Sequence, residues 1–222
     1  MSRRIRAVLF DLDGTLVDSA PDLLATLAWL RRSHGLPELQ DYQSFRHLAS
    51  RGALGMIEGG FADRPDLDRT RLRSQFLDRY AANLWVESRA FDGIEGLLQL
   101  LKARDLRLGV VTNKLAFLAE PLIRAAGWQD RLECVIGGDT AAFPKPHPAP
   151  VLEACRRLSV QPGQALMVGD DVRDIRAGLS AGSLTAVAGW GYLGPDDPPQ
   201  GWGAHHVLAR PTHLMEILES SD

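Results

Sequence analysis

"AVLFDLDGTLVDS", residues 7–19, decides how the chain is read. Four apolar residues lead into Asp11 and Asp13, two carboxylates one residue apart. In an extended strand, residues i and i+2 point to the same side. Carboxylates held that close disfavour joint ionisation. A bound cation or a shared chemical task offsets such crowding.

Outward from that stretch, further apolar runs recur: LRLGVVT (106–112), CVIGG (134–138) and ALMVGD (165–170), with LTAVAGW (184–190) and HHVLA (205–209) as weaker candidates. Helical patterns separate them, among them IEGLLQLLKAR (94–104), AFLAEPLIRAAG (116–127) and PVLEACRRL (150–158). Aliphatic strands alternating with helices predict an α/β protein, a Rossmann-like parallel sheet core with helices on both faces. In such sheets the ligand lies beyond the carboxyl ends of the strands. Residues 19–85 break the pattern. PDLLATLAWLRRSHG and TRLRSQFLDRYAANLW read as helices, and no strand stands out. The expected division is a core domain of residues 1–18 plus 86–222 and an inserted helical cap domain of residues 19–85. FDG (91–93) returns the chain to the core, and LGPDDPPQGWG (193–203) reads as a turn-rich surface loop.

Bulk properties narrow the function classes. The chain has 222 residues, 45% hydrophobic and 24% charged, with a net charge of −3. That balance points to neither a nucleic-acid nor a membrane partner. The basic start SRRIR (2–6) leads into an apolar run that Asp11 interrupts too soon for a signal peptide or membrane span, so a cytoplasmic location is expected. Cys134 and Cys155 lack metal-like spacing and read as buried free thiols. Lysine occurs only at 102, 114 and 145.

Polar residues gather at or shortly after the strand ends. Asp11, Asp13 and Thr15 follow the first run, Thr112 and Asn113 the second. Lys145 lies in FPKPHP after the third, and Asp170, Asp171 and Asp174 lie in GDDVRD after the fourth. A calcium loop is excluded, because the sixth position from Asp11 is Leu16 where glycine is required.

DLDGTLVDS, VVTNK, KPHP and GDDVRD, in this order, resemble the four motifs of the haloacid dehalogenase superfamily of phosphatases. The helical insert is similar to the cap of its phosphoglycolate phosphatase-like members. The resemblance implies a phosphomonoester hydrolase acting on a small phosphorylated metabolite. Asp11 is then the nucleophile, forming an aspartyl-phosphate, and Asp13 the general acid and base. Mg²⁺ is the implied cofactor, on the Asp11 carboxylate, the Asp13 main-chain carbonyl and the Asp170 carboxylate. Asp174 and Asp171 are expected behind these ligands, orienting them. Thr112 and Asn113 are expected to hold phosphate oxygens, and Lys145 to offset negative charge. Lys114 is expected to sit at a solvated helix start.

For the leaving group, SRGALGM (50–56) lies where relatives keep a cap loop, which makes Arg51 the candidate for a substrate carboxylate, with Arg46 or His47 assisting. Phosphoglycolate is the first candidate substrate. N-acetylmuramic acid 6-phosphate is the second, through the soft matches FLAEP (117–121) and GYLGPDDPPQGWGA (191–204). No lysine occurs between Ser19 and Trp85, which argues against the Schiff-base chemistry of relatives that cleave carbon–phosphorus bonds. A reading from another class is a non-catalytic phospho-accepting regulatory module. Against it, the would-be nucleophile is on the first strand and Asp13 is present for hydrolysis.

Overall fold

The computed structural model describes residues 4–194 and 198–219. Ser2 and Arg3 of the basic start and residues 195–197 of the turn-rich loop lie outside the described residues. In chain order the elements are β1 (Ala7–Phe10), β2 (Val17–Asp18), α1 (Ala20–Ser33), α2 (Gly52–Gly60), α3 (Arg69–Ala81), β3 (Arg89–Ala90), α4 (Ile94–Ala103), β4 (Arg107–Val111), α5 (Ala116–Ala125), β5 (Cys134–Ile136), α6 (Ala149–Arg157), β6 (Ala165–Gly169), α7 (Val172–Ala181), β7 (Leu184–Ala188), β8 (His206–Leu208) and α8 (Leu214–Glu219).

All six apolar runs become strands of one parallel sheet, in the order β5-β4-β1-β6-β7-β8. Strand alternation sorts the core into two layers. Val8, Phe10, Leu108, Val110, Leu166 and Val168 face one side, with Ile94, Leu97, Leu98 and Leu101 of α4. Ala7, Leu9, Ala165 and Met167 face the other, with Val151, Ala154 and Cys155 of α6 and Ala177 of α7. Both faces of β1 are therefore covered, which is why it reads as an unbroken apolar run. From β1 the chain builds outward through β4 to β5, then crosses to β6 on the other side. β1 thus sits where the strand order reverses, the place at which α/β sheets take ligands. Both cysteines are free and buried.

The insert has its own apolar cluster. Leu23, Leu27 and Leu30 form a stripe on α1 and meet Met56 and Ile57 of α2 and Leu72, Phe76 and Tyr80 of α3. Among the described residues no strand lies between 19 and 85. SRGALGM is not a loop, however. Residues Tyr42–Arg51 form 3-10 turns and α2 starts at Gly52. Gly52, Ala53 and Gly55 leave no apolar stripe from which to read a helix. The antiparallel pair β2 and β3, Val17 on Ala90 and Asp18 on Arg89, is also new. Two-residue strands are too short to show a period.

This pair joins the two crossings between sheet and insert, and Asp22 of α1 ties them further. Its buried carboxylate accepts from the N–H groups of Val86, Glu87 and Ser88 at 2.8–3.0 Å and from Ser88 Oγ at 2.6 Å. Trp85, just before them, packs edge-on against Trp128 with ring centres 6.4 Å apart. Hydrogen bonds to a charged group are among the stronger ones, and buried orphaned donors are costly. Asp22→Ala is expected to destabilise the protein by about 3 kcal/mol, the upper end for an ordinary single substitution. A denaturation midpoint unchanged from wild type would show that water replaces the carboxylate.

Candidate active site

Asp11, Thr112 and Asp170 each directly follow the last residue of β1, β4 and β6, so the parallel register delivers them to one end of the sheet. The chain turns sharply after Asp13. Gly14 has φ +85, and a Cβ there would lie 2.1 Å from Asp170 Oδ2, so glycine is required both for the backbone and for the space.

Asp11, Asp170 and Asp174 are all buried and offer oxygens within 4.8 Å of one another. The Lys145 ammonium stands among them, 2.9 Å from Asp11 Oδ1 and 2.6 Å from Asp174 Oδ1, and donates to Val111 O at 2.6 Å. These contacts use all three of its donors. Burial opposes the charge on Lys145, but Asp11 and Asp174 outweigh it and raise its pKa. Asp170 meets neutral donors: Thr15 Oγ1 at 2.8 Å, Ser50 Oγ at 2.9 Å and the Tyr192 N–H at 3.0 Å. Burial, and then the nearby Asp11 charge, push it up to about 7. Asp174 is likewise raised, by burial first and then by Asp11. One ammonium thus faces three buried carboxylates, and the remaining excess of negative charge suits a cation. An all-oxygen donor set fits a hard divalent ion such as Mg²⁺.

Two expectations change here. Asp174 does not stand behind the acid group but belongs to it, because it sits one helical turn after Asp170 and points back at Lys145. Asp171 is outside the group. It caps α7 by accepting from the Arg173 N–H and pairs with the Arg173 guanidinium at 2.8 Å. Burial raises its pKa, but Arg173 outweighs burial and holds it below the usual range.

Asp13 faces the insert. Its carboxylate accepts from Ser19 Oγ and, at 3.0 Å through each oxygen, from Lys114 Nζ. Lys114 also donates to the Tyr80 hydroxyl of α3 at 3.0 Å. Its side chain is only 6% exposed, so the solvated helix start expected for Lys114 is overturned. Burial opposes its charge, and Asp13 with Tyr80 more than restores it, so its pKa is raised. Thr112 Oγ1 accepts from the Lys114 N–H, leaving its own proton free. The Asn113 amide clamps the main chain of Lys145 in both directions at 2.9 Å, which leaves one N–H proton for the phosphate contact expected of it.

Arg51 lines the cavity over these groups, half-exposed and paired with Glu58 at 2.5 Å. Arg46 is engaged elsewhere, with Asp18 at 2.7 Å and over the Tyr192 ring. The cavity measures about 340 Å³. It runs from Asp11, Asp13 and Lys145 to Leu54, Phe76 and Leu77 of the insert. Ser50, Tyr80 and Arg173 were not foreseen in it. Only the position of Ser50, beside Arg51, gave any signal.

Comparison with known proteins agrees with this geometry. A model of the haloacid dehalogenase-like hydrolase family matches residues 5–182. The chain is 41% identical over 219 residues to N-acetylmuramic acid 6-phosphate phosphatase of Pseudomonas aeruginosa, covering 97% of this chain and 96% of that one. It is 44% identical over 211 residues to phosphoglycolate phosphatase of Xanthomonas campestris, covering 95% of each. A crystal structure described as a predicted phosphoglycolate phosphatase from Haemophilus somnus superposes with TM-score 0.84 at 27% identity, covering 96% of this chain and 98% of that one.

Proposed function

The chain belongs to the haloacid dehalogenase-like hydrolase family, and from that premise we propose a Mg²⁺-dependent phosphomonoester hydrolase of phosphoglycolate phosphatase type that works through an aspartyl-phosphate on Asp11. The observation that carries this reading is the convergence of Asp11, Asp170, Asp174 and Lys145 at the sheet's carboxyl end. The Asp11 carboxylate, the Asp13 main-chain carbonyl and the Asp170 and Asp174 carboxylates would hold the ion. When bound, it supplies positive charge for the transferred phosphoryl group.

The protein's own residues divide the rest. Asp11 Oδ1 is held by the Leu12 N–H at 2.7 Å and by Lys145, which leaves Oδ2 to attack phosphorus. As the Oδ2–P bond forms, the bond from phosphorus to the leaving oxygen breaks, and Asp13 gives that oxygen its proton. Asp13 then takes a proton from the water that hydrolyses the intermediate. The Thr112 hydroxyl and the remaining Asn113 proton hold phosphate oxygens, and Arg51 meets the carboxylate of a small substrate. The domain division at residues 18/19 and 85/86 gives the insert the role of a cap over this chemistry.

N-acetylmuramic acid 6-phosphate is the second reading, supported by the cavity. Its size falls at the lower edge of pockets that enclose drug-sized ligands, about 300–1,000 Å³. A two-carbon phosphate would leave much of it to water. A regulatory module, by contrast, has no use for an insert-built cavity. The test is phosphate release from a panel of phosphomonoesters. Chelation is expected to abolish turnover, Mg²⁺ to restore it and Ca²⁺ to inhibit. Full activity in excess chelator would contradict the assignment.

A further inference from the structure

Arg73, Phe76, Leu77 and Tyr80 of α3 all line the cavity. Their spacing, i, i+3, i+4 and i+7, places them on one face of the helix. The face is graded. At one end the Tyr80 hydroxyl touches Lys114, which holds Asp13, so this end belongs to the chemistry. Half-buried Leu77, backed by the fully buried Phe76, forms an apolar middle. Arg73 closes the other end, seven residues away, or about 10 Å along the axis.

Among the described residues, three arginines line this cavity. Arg51 is paired with Glu58, and Arg173 with Asp171 and the Ser50 carbonyl. Arg73 has no hydrogen-bond or ion-pair partner among the described residues. Arg51 belongs to the catalytic end, since its neighbour Ser50 donates to Asp170 at 2.9 Å. In phosphoglycolate the carboxylate lies two bonds from the ester oxygen and stays at that end. It cannot use the apolar middle or the guanidinium beyond it.

Resting on the phosphatase reading above, we propose that Arg73 is a specificity-determining residue. It binds a second anion, a carboxylate, that the substrate carries remote from phosphorus across a ring-sized body lying on Leu77. A guanidinium fork matches a carboxylate in two hydrogen bonds, and the ring supplies the apolar faces the middle needs. N-acetylmuramic acid 6-phosphate has this form, with its lactyl carboxylate and phosphate on opposite parts of the sugar. N-acetylglucosamine 6-phosphate has the same ring and phosphate without the carboxylate.

The experiment compares wild type, Arg73→Ala, Arg73→Lys and Arg51→Ala on those two sugar phosphates, 2-phosphoglycolate and 4-nitrophenyl phosphate. Wild type is expected to prefer the carboxylate-bearing sugar. Arg73→Ala is expected to lower its kcat/KM about 10–100-fold, the scale of a charge-assisted hydrogen bond, chiefly through KM. Turnover of the sugar lacking the carboxylate and of the aryl phosphate should hold within about threefold on the same scale. Arg73→Lys should recover part of the loss, and Arg51→Ala should weaken 2-phosphoglycolate instead. Equal losses on both sugars, no loss on either, or no wild-type preference for the carboxylate would each overturn the assignment. Failure of wild type to hydrolyse any of the four esters with Mg²⁺ would sink the phosphatase reading separately. Calorimetric binding of the two sugar phosphates, with and without Arg73→Ala, then still decides the role of Arg73.

Discussion

Asp11→Asn is expected to abolish phosphate release by roughly 10⁴-fold or more, the scale on which loss of a nucleophile acts. No phosphorylated enzyme should be trapped by rapid acid quench. The amide keeps the shape of the carboxylate and an oxygen for the Leu12 N–H and Lys145, which now lie on Oδ1 at 2.7 and 2.9 Å. Lys145 retains Asp174 and the Val111 carbonyl. One negative charge leaves a buried group of three carboxylates, so the metal-free variant should unfold at or above the wild-type midpoint. Loss of activity with intact folding assigns chemistry to Asp11, whereas loss of both would make it structural. Near-normal turnover, once deamidation and contaminating phosphatase are excluded, would refute the covalent mechanism.

Asp13→Asn is expected to cost about 10²–10⁴ in kcat, the usual worth of a positioned proton donor. The variant retains an oxygen for Ser19 and Lys114, so the link to Tyr80 survives in part. What it lacks is a proton to transfer. The loss should therefore depend on the leaving group. An alkyl phosphate departs as a strongly basic alkoxide and needs the proton. A nitrophenyl phosphate departs as a stable phenolate and needs it far less. The expected result is a loss on the alkyl ester at least tenfold larger than on the aryl ester. Equal losses would assign Asp13 to holding the insert through Lys114 rather than to proton transfer.

Much of this site is legible in the chain because its groups are carried on local signals. An apolar run followed at once by an acid places that acid at a strand end, whatever the rest of the molecule does. This holds for Asp11 after AVLF and for Asp170 after ALMVG. The parallel arrangement brings such ends together, so the joint appearance of Asp11, Thr112, Lys145 and Asp170 was enough to infer one site.

What lies across the cavity could not be read in this way. Lys114 next to a helix start has an open environment in one dimension. It is buried only because the fold brings Asp13, 101 residues earlier, and Tyr80, 34 residues earlier, against it. Ser50 reaches Asp170 over 120 residues. Asp174 lies in the first turn of α7 and turns its carboxylate toward Lys145, whereas Asp171, three residues earlier, caps the helix in extended backbone and stays with Arg173. Arg73 looks like any exposed helix residue until Phe76, Leu77 and Tyr80 are seen to share its cavity. Sequence alone determined the strands and the order of their polar ends, because hydrophobic periodicity and short-range spacing act locally along the chain. The tertiary structure alone decided which insert residues meet them, because that depends on contacts between distant segments, and no local period records those.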